Sequence, residues 1–151
     1  MIQIVCVGKK HESWVQAGIE RYQTRLRAPW DVRWELLPHS SHSGPSARQD
    51  ESERLLRRLD EQSYVILLDE TGQQFDSPKL TQSLIGQLDY GKTITIIIGG
   101  AYGVDQSVRD RADLVWSLSP LVFPHQLVRL ILVEQLYRCS QIAAGSSYHH
   151  Q

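Results

Sequence analysis

The fold turns on Thr93-Ile94-Thr95-Ile96-Ile97-Ile98-Gly99-Gly100-Ala101-Tyr102-Gly103. Four isoleucines within Ile94 to Ile98 leave almost no polar face, which suits a central parallel strand covered on both sides. Working outward, apolar runs rich in β-branched residues recur at Ile2 to Val7, Val32 to Leu37, Tyr64 to Leu68 and Leu114 to Leu118. With Thr93 to Ile98 they make five expected strands. Between them Val15, Ile19, Tyr22 and Leu26, then Leu55, Leu56 and Leu59, then Leu80, Leu84 and Leu88 fall at helical spacing. Strands alternating with helices predict an α/β fold, a mostly parallel sheet with helices on both faces. Ser77 is the expected cap of the third helix, with Pro78 at its first position. The segment Pro38 to Ser46 is dense in turn formers and reads as a mobile surface loop. No repeat or linker divides the chain, so residues 1–151 read as a single domain.

Composition narrows the class. Hydrophobic residues at 41% and charged residues at 22% are ordinary for a globular protein and exclude a disordered tail, a collagen-like repeat or a disulfide scaffold. No apolar stretch is long enough for a bilayer and the N-terminus lacks a leader pattern, so a cytosolic protein without membrane attachment is expected. Cys6 and Cys139 have no nearby second cysteine and read as buried, reduced thiols. Sixteen Lys and Arg against seventeen Asp and Glu give a net charge of −1. No global field draws such a chain to nucleic acid, so any RNA binding must rest on a local patch, a combined dimer surface or a shaped partner.

Ligands of parallel sheets sit beyond the carboxyl ends of the strands, and two segments occupy that position here. The first is Gly99 to Gly103, whose glycines allow positive φ and close approach of a ligand; a ligand-free strand-to-helix turn fits equally. The spacing is wrong for a dinucleotide fingerprint. The second is Trp116-Ser117-Leu118-Ser119-Pro120-Leu121-Val122-Phe123-Pro124-His125, where two prolines stiffen a loop able to offer backbone groups to an adenine edge and Leu121, Val122 and Phe123 as an apolar wall. Ordinary connecting chain is the alternative.

A last helix is expected from His125 to Ala143, with Leu127, Leu130 and Ile131 toward the core and Glu134, Arg138 and Gln141 on one face. In isolation Glu134 and Arg138 suit a solvated ion pair, and His125 a helix-start residue. The closing Tyr148-His149-His150-Gln151 reads as a free terminus, and no Cys, Asp or His cluster has metal-ligand spacing, so no metal is expected.

Taken together, several motifs resemble one family over essentially the whole chain. They are Ile4-Val5-Cys6-Val7-Gly8-Lys9 with Trp14-Val15, Leu67-Leu68-Asp69 with Gly72, Ile98 to Gly103, and Trp116-Ser117-Leu118-Ser119. Most specific are Phe123-Pro124-His125-Gln126-Leu127-Val128-Arg129, Glu134-Gln135-Leu136-Tyr137-Arg138 and the final Tyr148-His149. The chain is similar to the ribosomal RNA large-subunit (23S) pseudouridine N3-methyltransferases of the trefoil-knotted SPOUT superfamily.

The resemblance implies a C-terminal trefoil knot, which local connectivity rules do not suggest. It also implies S-adenosylmethionine as methyl donor, held by Leu68, Gly100 and the run Ser119, Pro120, Leu121, Val122, Phe123 and Pro124. His125 and Arg129 would meet the substrate, and Arg138, Tyr148, His149 and Glu134 would form the catalytic group. It further implies a homodimer in which one subunit's tail helps complete the partner's site, acting on ribosomal RNA in a ribosome or large subunit. On this pattern His149, or a water it orients, takes the proton while Arg138 and Tyr148 stabilise charge on the base.

The chain departs from its relatives in carrying Gly145-Ser146-Ser147 where they often have Asn-His-Pro. It also has Ser40 to Ser46 where many have a basic loop, so tight binding to naked RNA is not expected. The alternatives are a knotted methyltransferase for another RNA such as tRNA, a non-catalytic ribosome-binding factor, and a generic nucleotide-binding α/β protein.

Overall fold

The computed structural model describes residues 1–150; Gln151, the end of the expected tail, lies outside the described residues. The chain runs β1 (Ile2–Val7), α1 (Ser13–Gln23), β2 (Val32–Leu37), α2 (Gly44–Leu56), β3 (Tyr64–Gln74), α3 (Ser77–Asp89), β4 (Ile94–Ile98), α4 (Gln106–Arg111), β5 (Leu114–Ser117) and α5 (His125–Ala143). The sheet order is β2-β1-β4-β3-β5 and every pairing is parallel. All five residues of β4 are buried, as its unbroken apolar run requires of a strand flanked and covered on both faces.

The two-residue period of the strands sorts their side chains into two cores. Ile2, Ile4, Cys6, Ile66, Ile94, Ile96 and Ile98 face α1, α3 and α5, where Val15, Ile19, Leu80, Leu84, Leu132 and Leu136 complete the larger core. Val5, Val7, Val65, Leu67 and Ile97 face α2 and α4 and pack with Leu55 and Val108. Helix α1 lies alongside α5: the Glu12 amide donates to Gln126, Gly18 sits against Leu130, and Tyr22 stacks near Tyr137. Both cysteines are free and buried, and burial pushes their thiols up to about 11, so neither ionises near neutral pH.

Several local expectations are corrected. Strand β3 runs on to Gln74 instead of stopping at Leu68, because Asp69 to Gly72 bulge out and Gln73 re-forms the ladder against Trp116. Helix α3 is capped by Asp76, which accepts from the Lys79 amide at 2.8 Å; Ser77 is already helical and donates to Gln135. The segment Pro38 to Ser46 is tied down. Helix α2 already starts at Gly44, Arg54 donates to the carbonyls of Pro38 and His39, and the Ser40 amide donates to Glu51. Leu26 and Leu59 lie beyond the ends of their helices, although Leu26 is buried.

On α5 the core face is Leu132, Val133, Leu136, Tyr137 and Cys139, together with the guanidinium of Arg129; Leu127, Leu130 and Ile131 are half-buried, and only Leu130 packs against that core. The short α4 has no counterpart among the expected helices. It is polar, and only its Asp105 cap, accepting from Ser107 and Val108, marks it in the sequence. Among the described residues no helix is long and apolar enough to cross a membrane.

Candidate active site

Beyond the carboxyl ends of β3, β4 and β5 a cleft of about 430 Å³ opens. Leu68, Gly99, Gly100, Ser119, Leu121, Val122, Phe123 and His125 line it, whereas Pro120 and Pro124 do not. Each wall has a local cause. The β4 loop turns back through a bond from the Gly103 amide to the Gly100 carbonyl, and Gly103 takes φ +73°, the left-handed region that favours glycine. Positive φ is not what Gly100 needs: a Cβ there would meet the buried carboxylate of Glu51, so the glycine permits close packing against α2.

The β5 loop is held by Ser117 donating to the Ser119 carbonyl and by the Ser119 hydroxyl accepting from the Leu121 amide. That conformation leaves Leu121 and Val122 68% and 81% exposed, apolar side chains standing beside the cleft. The β3 bulge brings in Asp69 and Glu70. Burial raises the Asp69 pKa, but hydrogen bonds from Thr71 and the Arg109 guanidinium at 2.6 Å outweigh it, and the group is held below its ordinary value as a carboxylate. Asp69 and Arg109 were not among the expected site residues. Asp69 was visible as the first polar residue after an apolar strand, but Arg109 rides on the helix that the sequence pattern did not reveal.

His125 opens α5 and also borders a second cleft, of about 600 Å³, together with Lys9, Lys10, His39 and Arg129. Arg129 is 1% exposed and its guanidinium is committed to backbone: Nη1 donates to the Lys10 carbonyl at 2.8 Å and Nη2 to Val7 at 2.9 Å. Burial lowers the pKa of both His125 and His11, and the Arg129 charge lowers them further. A histidine pKa depressed by folding adds stability that is complete above the unfolded value near 6.5 and is lost as pH falls through the folded value. The thermal midpoint should therefore be flat above about pH 7 and decline below about pH 6.5. His125→Gln should flatten that decline in a calorimetric pH series; an unchanged slope would remove His125 from the account.

Arg138, Tyr148, His149 and Glu134 gather at the other end of α5. Glu134 Oε1 accepts from Arg138 Nη2 at 2.5 Å and from the Tyr148 hydroxyl at 3.2 Å. The Arg138 guanidinium carbon lies 4.9 Å from the Tyr148 ring centre, and its Nη1 is 3.4 Å from His149 Nδ1. Because arginine has only donors, that last approach needs a neutral His149 with its proton on Nε2. Burial and the Glu134 carboxylate push the Tyr148 hydroxyl up to about 12, so it remains a donor.

The tail is folded back onto α5. Gly145 adopts φ +67° after the helix, the Ser146 amide donates to the Gln141 carbonyl, and the Ser146 hydroxyl bonds Gln141 and accepts from the Tyr148 amide. Gly145-Ser146-Ser147 thus supplies a tether of its own. Among the described residues no group of three or more His, Cys, Asp or Glu could hold a metal ion.

His125 and Arg138 are thirteen positions apart along α5, about 20 Å at the helical rise. Within one chain the cleft and the Arg138 cluster are therefore distinct places.

Relatives span the same length. The chain is 40% identical to the ribosomal RNA large subunit methyltransferase H of Desulfitobacterium hafniense (strain Y51), covering 98% of each chain. It is 39% identical to the protein of that name from Geotalea daltonii and 36% identical to the one from Thioalkalivibrio sulfidiphilus, covering 99% of each chain in both cases. The family model described as "Predicted SPOUT methyltransferase" matches residues 1–149. With a parallel sheet that opens a cleft bounded by the β4 glycine loop at its carboxyl end, and with that match over nearly every residue, the chain belongs to the SPOUT methyltransferase family.

Proposed function

We propose that this protein methylates N3 of a pseudouridine in the RNA of the large ribosomal subunit, working in the cytoplasm as a homodimer. The fold class is that of its family, for which a C-terminal trefoil knot is implied, and the family uses S-adenosylmethionine as methyl donor. The observation that carries the substrate is the full-length similarity to large-subunit ribosomal RNA methyltransferases.

The cleft suits that donor. Its volume is in the range of small-molecule sites, and Leu121 and Val122 offer apolar surface for a nucleobase. Leu68, Gly100, Ser119, Leu121, Val122 and Phe123 would hold it, and Pro120 and Pro124 would stiffen their loop. When bound, the donor supplies an electrophilic methyl group on a sulfonium, so the reaction needs alignment and removal of one proton, and no metal.

Arg138 and the un-ionised Tyr148 hydroxyl are the donors that stabilise negative charge on the carbonyls flanking the target nitrogen. In the free protein Glu134 orients both by accepting from each, and the Tyr148 hydroxyl, which has a single proton, moves that bond from Glu134 to the base. His149 is the base: its Nδ1 lone pair, 3.4 Å from Arg138 Nη1, takes the proton from the target nitrogen directly or through a water that it orients. Distance supports the homodimer: with about 20 Å between cleft and cluster, a complete site would draw its cleft from one protomer and its Arg138 group from the partner. The half-buried Leu127 and Ile131 on α5 are available to that interface.

The test is transfer of labelled methyl from S-adenosylmethionine to ribosomes lacking the modification, with the product nucleoside identified by mass spectrometry. Label on pseudouridine is expected. Label on transfer RNA would overturn the substrate and leave the family chemistry; binding of the donor without transfer to any ribosomal or transfer RNA would favour a non-catalytic ribosome-binding factor.

A further inference from the structure

The second cleft lies on the far side of Ala101 and His125 from the methyl-donor cleft, and the chemistry above makes no use of it. We propose that it is a phosphate subsite, in which Lys9 and Lys10, above the buried Arg129 guanidinium, hold a backbone phosphate of the RNA strand beside the target nucleotide. The assignment rests on the ribosomal RNA reading and adds a place on the protein where the strand is gripped.

The distribution of charge supports it. At a net charge of −1 the surface as a whole does not attract RNA, and many cations are already engaged. Arg54, Arg57, Arg58, Arg109, Arg138 and Lys79 each face a carboxylate. Lys9 and Lys10 are exposed, and no carboxylate pairs with them among the described residues. They are two of the chain's four lysines and stand side by side at one cleft, which concentrates free positive charge there.

Arg129 adds a fixed charge. It is buried without a carboxylate partner; carbonyls of Val7 at the end of β1 and of Gly8 and Lys10 just after it solvate Nη1 and Nη2, and Nε has no partner. Its positive field is therefore not neutralised inside the protein, and it contributes to holding His11 and His125, on either side of it, in their neutral forms. The acidic groups nearby offset this charge only in part. Glu12 borders the cleft, its carboxylate accepting from the Trp14 indole at 2.6 Å, and Glu51 lies behind Gly100, where one oxygen accepts from the Ser40 amide and is 3.9 Å from His39 Nδ1; against these two carboxylates stand the three cations Lys9, Lys10 and Arg129. The two clefts share Ala101 and His125 as a wall, so a strand delivering its base over the methyl donor would carry its backbone across the lysines.

The test compares the full chain with Lys9→Ala/Lys10→Ala, using large ribosomal subunits that lack the modification, over a series of KCl concentrations. The KM for subunits is expected to rise roughly tenfold, and the slope of log KM against log salt to fall by about 0.7–0.9 for each phosphate that the variant no longer neutralises. kcat and calorimetric affinity for S-adenosylmethionine should stay within about twofold, as expected when only uniform binding is removed. Lys9→Arg/Lys10→Arg should keep the wild-type KM. Lys79→Ala/Lys92→Ala removes the same charge elsewhere and should leave both KM and slope unchanged. An unchanged slope in the Lys9/Lys10 variant, or a loss confined to kcat, would overturn the subsite while leaving the methyltransferase reading intact. If the wild-type chain transfers no methyl to subunits, the ribosomal reading falls and the subsite with it.

Discussion

Arg138→Ala is expected to slow methyl transfer by about 10²–10³-fold, the loss seen when one preorganised donor to developing negative charge is removed. Affinity for S-adenosylmethionine should stay within about twofold, because the role assigned to Arg138 is on the target base of the RNA and not on the methyl donor. Folding stability should fall by only about 1 kcal/mol, since Glu134 keeps its bond from Tyr148 and is partly open to solvent. Parallel losses of transfer and donor affinity would sink the assigned role.

The same variant tests the shared site. Mixed with an equal amount of a cleft variant, Gly100→Val, it should regain about a quarter of wild-type activity: half the dimers are then mixed, and each has one site with both parts intact. If each site were built from a single chain, mixing would restore nothing.

The sequence exposed the framework because hydrophobic periodicity is a local property. Five apolar runs became the five strands, and Phe123-Pro124-His125 marked the start of α5 at His125. What escaped was decided by partners distant in sequence. Nothing around Asp69 announces that the chain bulges and then pairs again with Trp116, because that depends on where β5 lies. Gly100 looked like a conformational glycine, yet its constraint is the carboxylate of Glu51 on α2. Arg129 was legible as a family residue, but its burial beneath the Val7 to Lys10 loop depends on where α5 lies relative to β1 and α1. The knot is beyond local reading altogether, because threading a loop leaves no mark on the spacing of residues.

Gly72 offers the sharpest test of how the edge of the sheet shapes the cleft. A Cβ at this position would lie 2.6 Å from the Val115 carbonyl oxygen and 2.8 Å from the Trp116 nitrogen. Those are backbone atoms of a paired strand, so no side-chain rotation relieves the overlap, and the β5 backbone has to move. Gly72→Ala should therefore cost about 3 kcal/mol, which lowers the thermal midpoint by roughly 6–12 °C. Because β5 leads directly into Leu118 to Phe123, methyl-donor affinity should weaken as well. Gly86 in α3 is the control. A Cβ there meets nothing within 4 Å and its backbone is helical, so Gly86→Ala should stabilise the chain by about 1 kcal/mol. The same added methyl group thus has opposite signs at two glycines of one chain. If calorimetry shows both variants shifting in the same direction, Gly72 is not held against the β5 backbone, and the account of how the bulge sets Asp69 and Glu70 into the cleft fails with it.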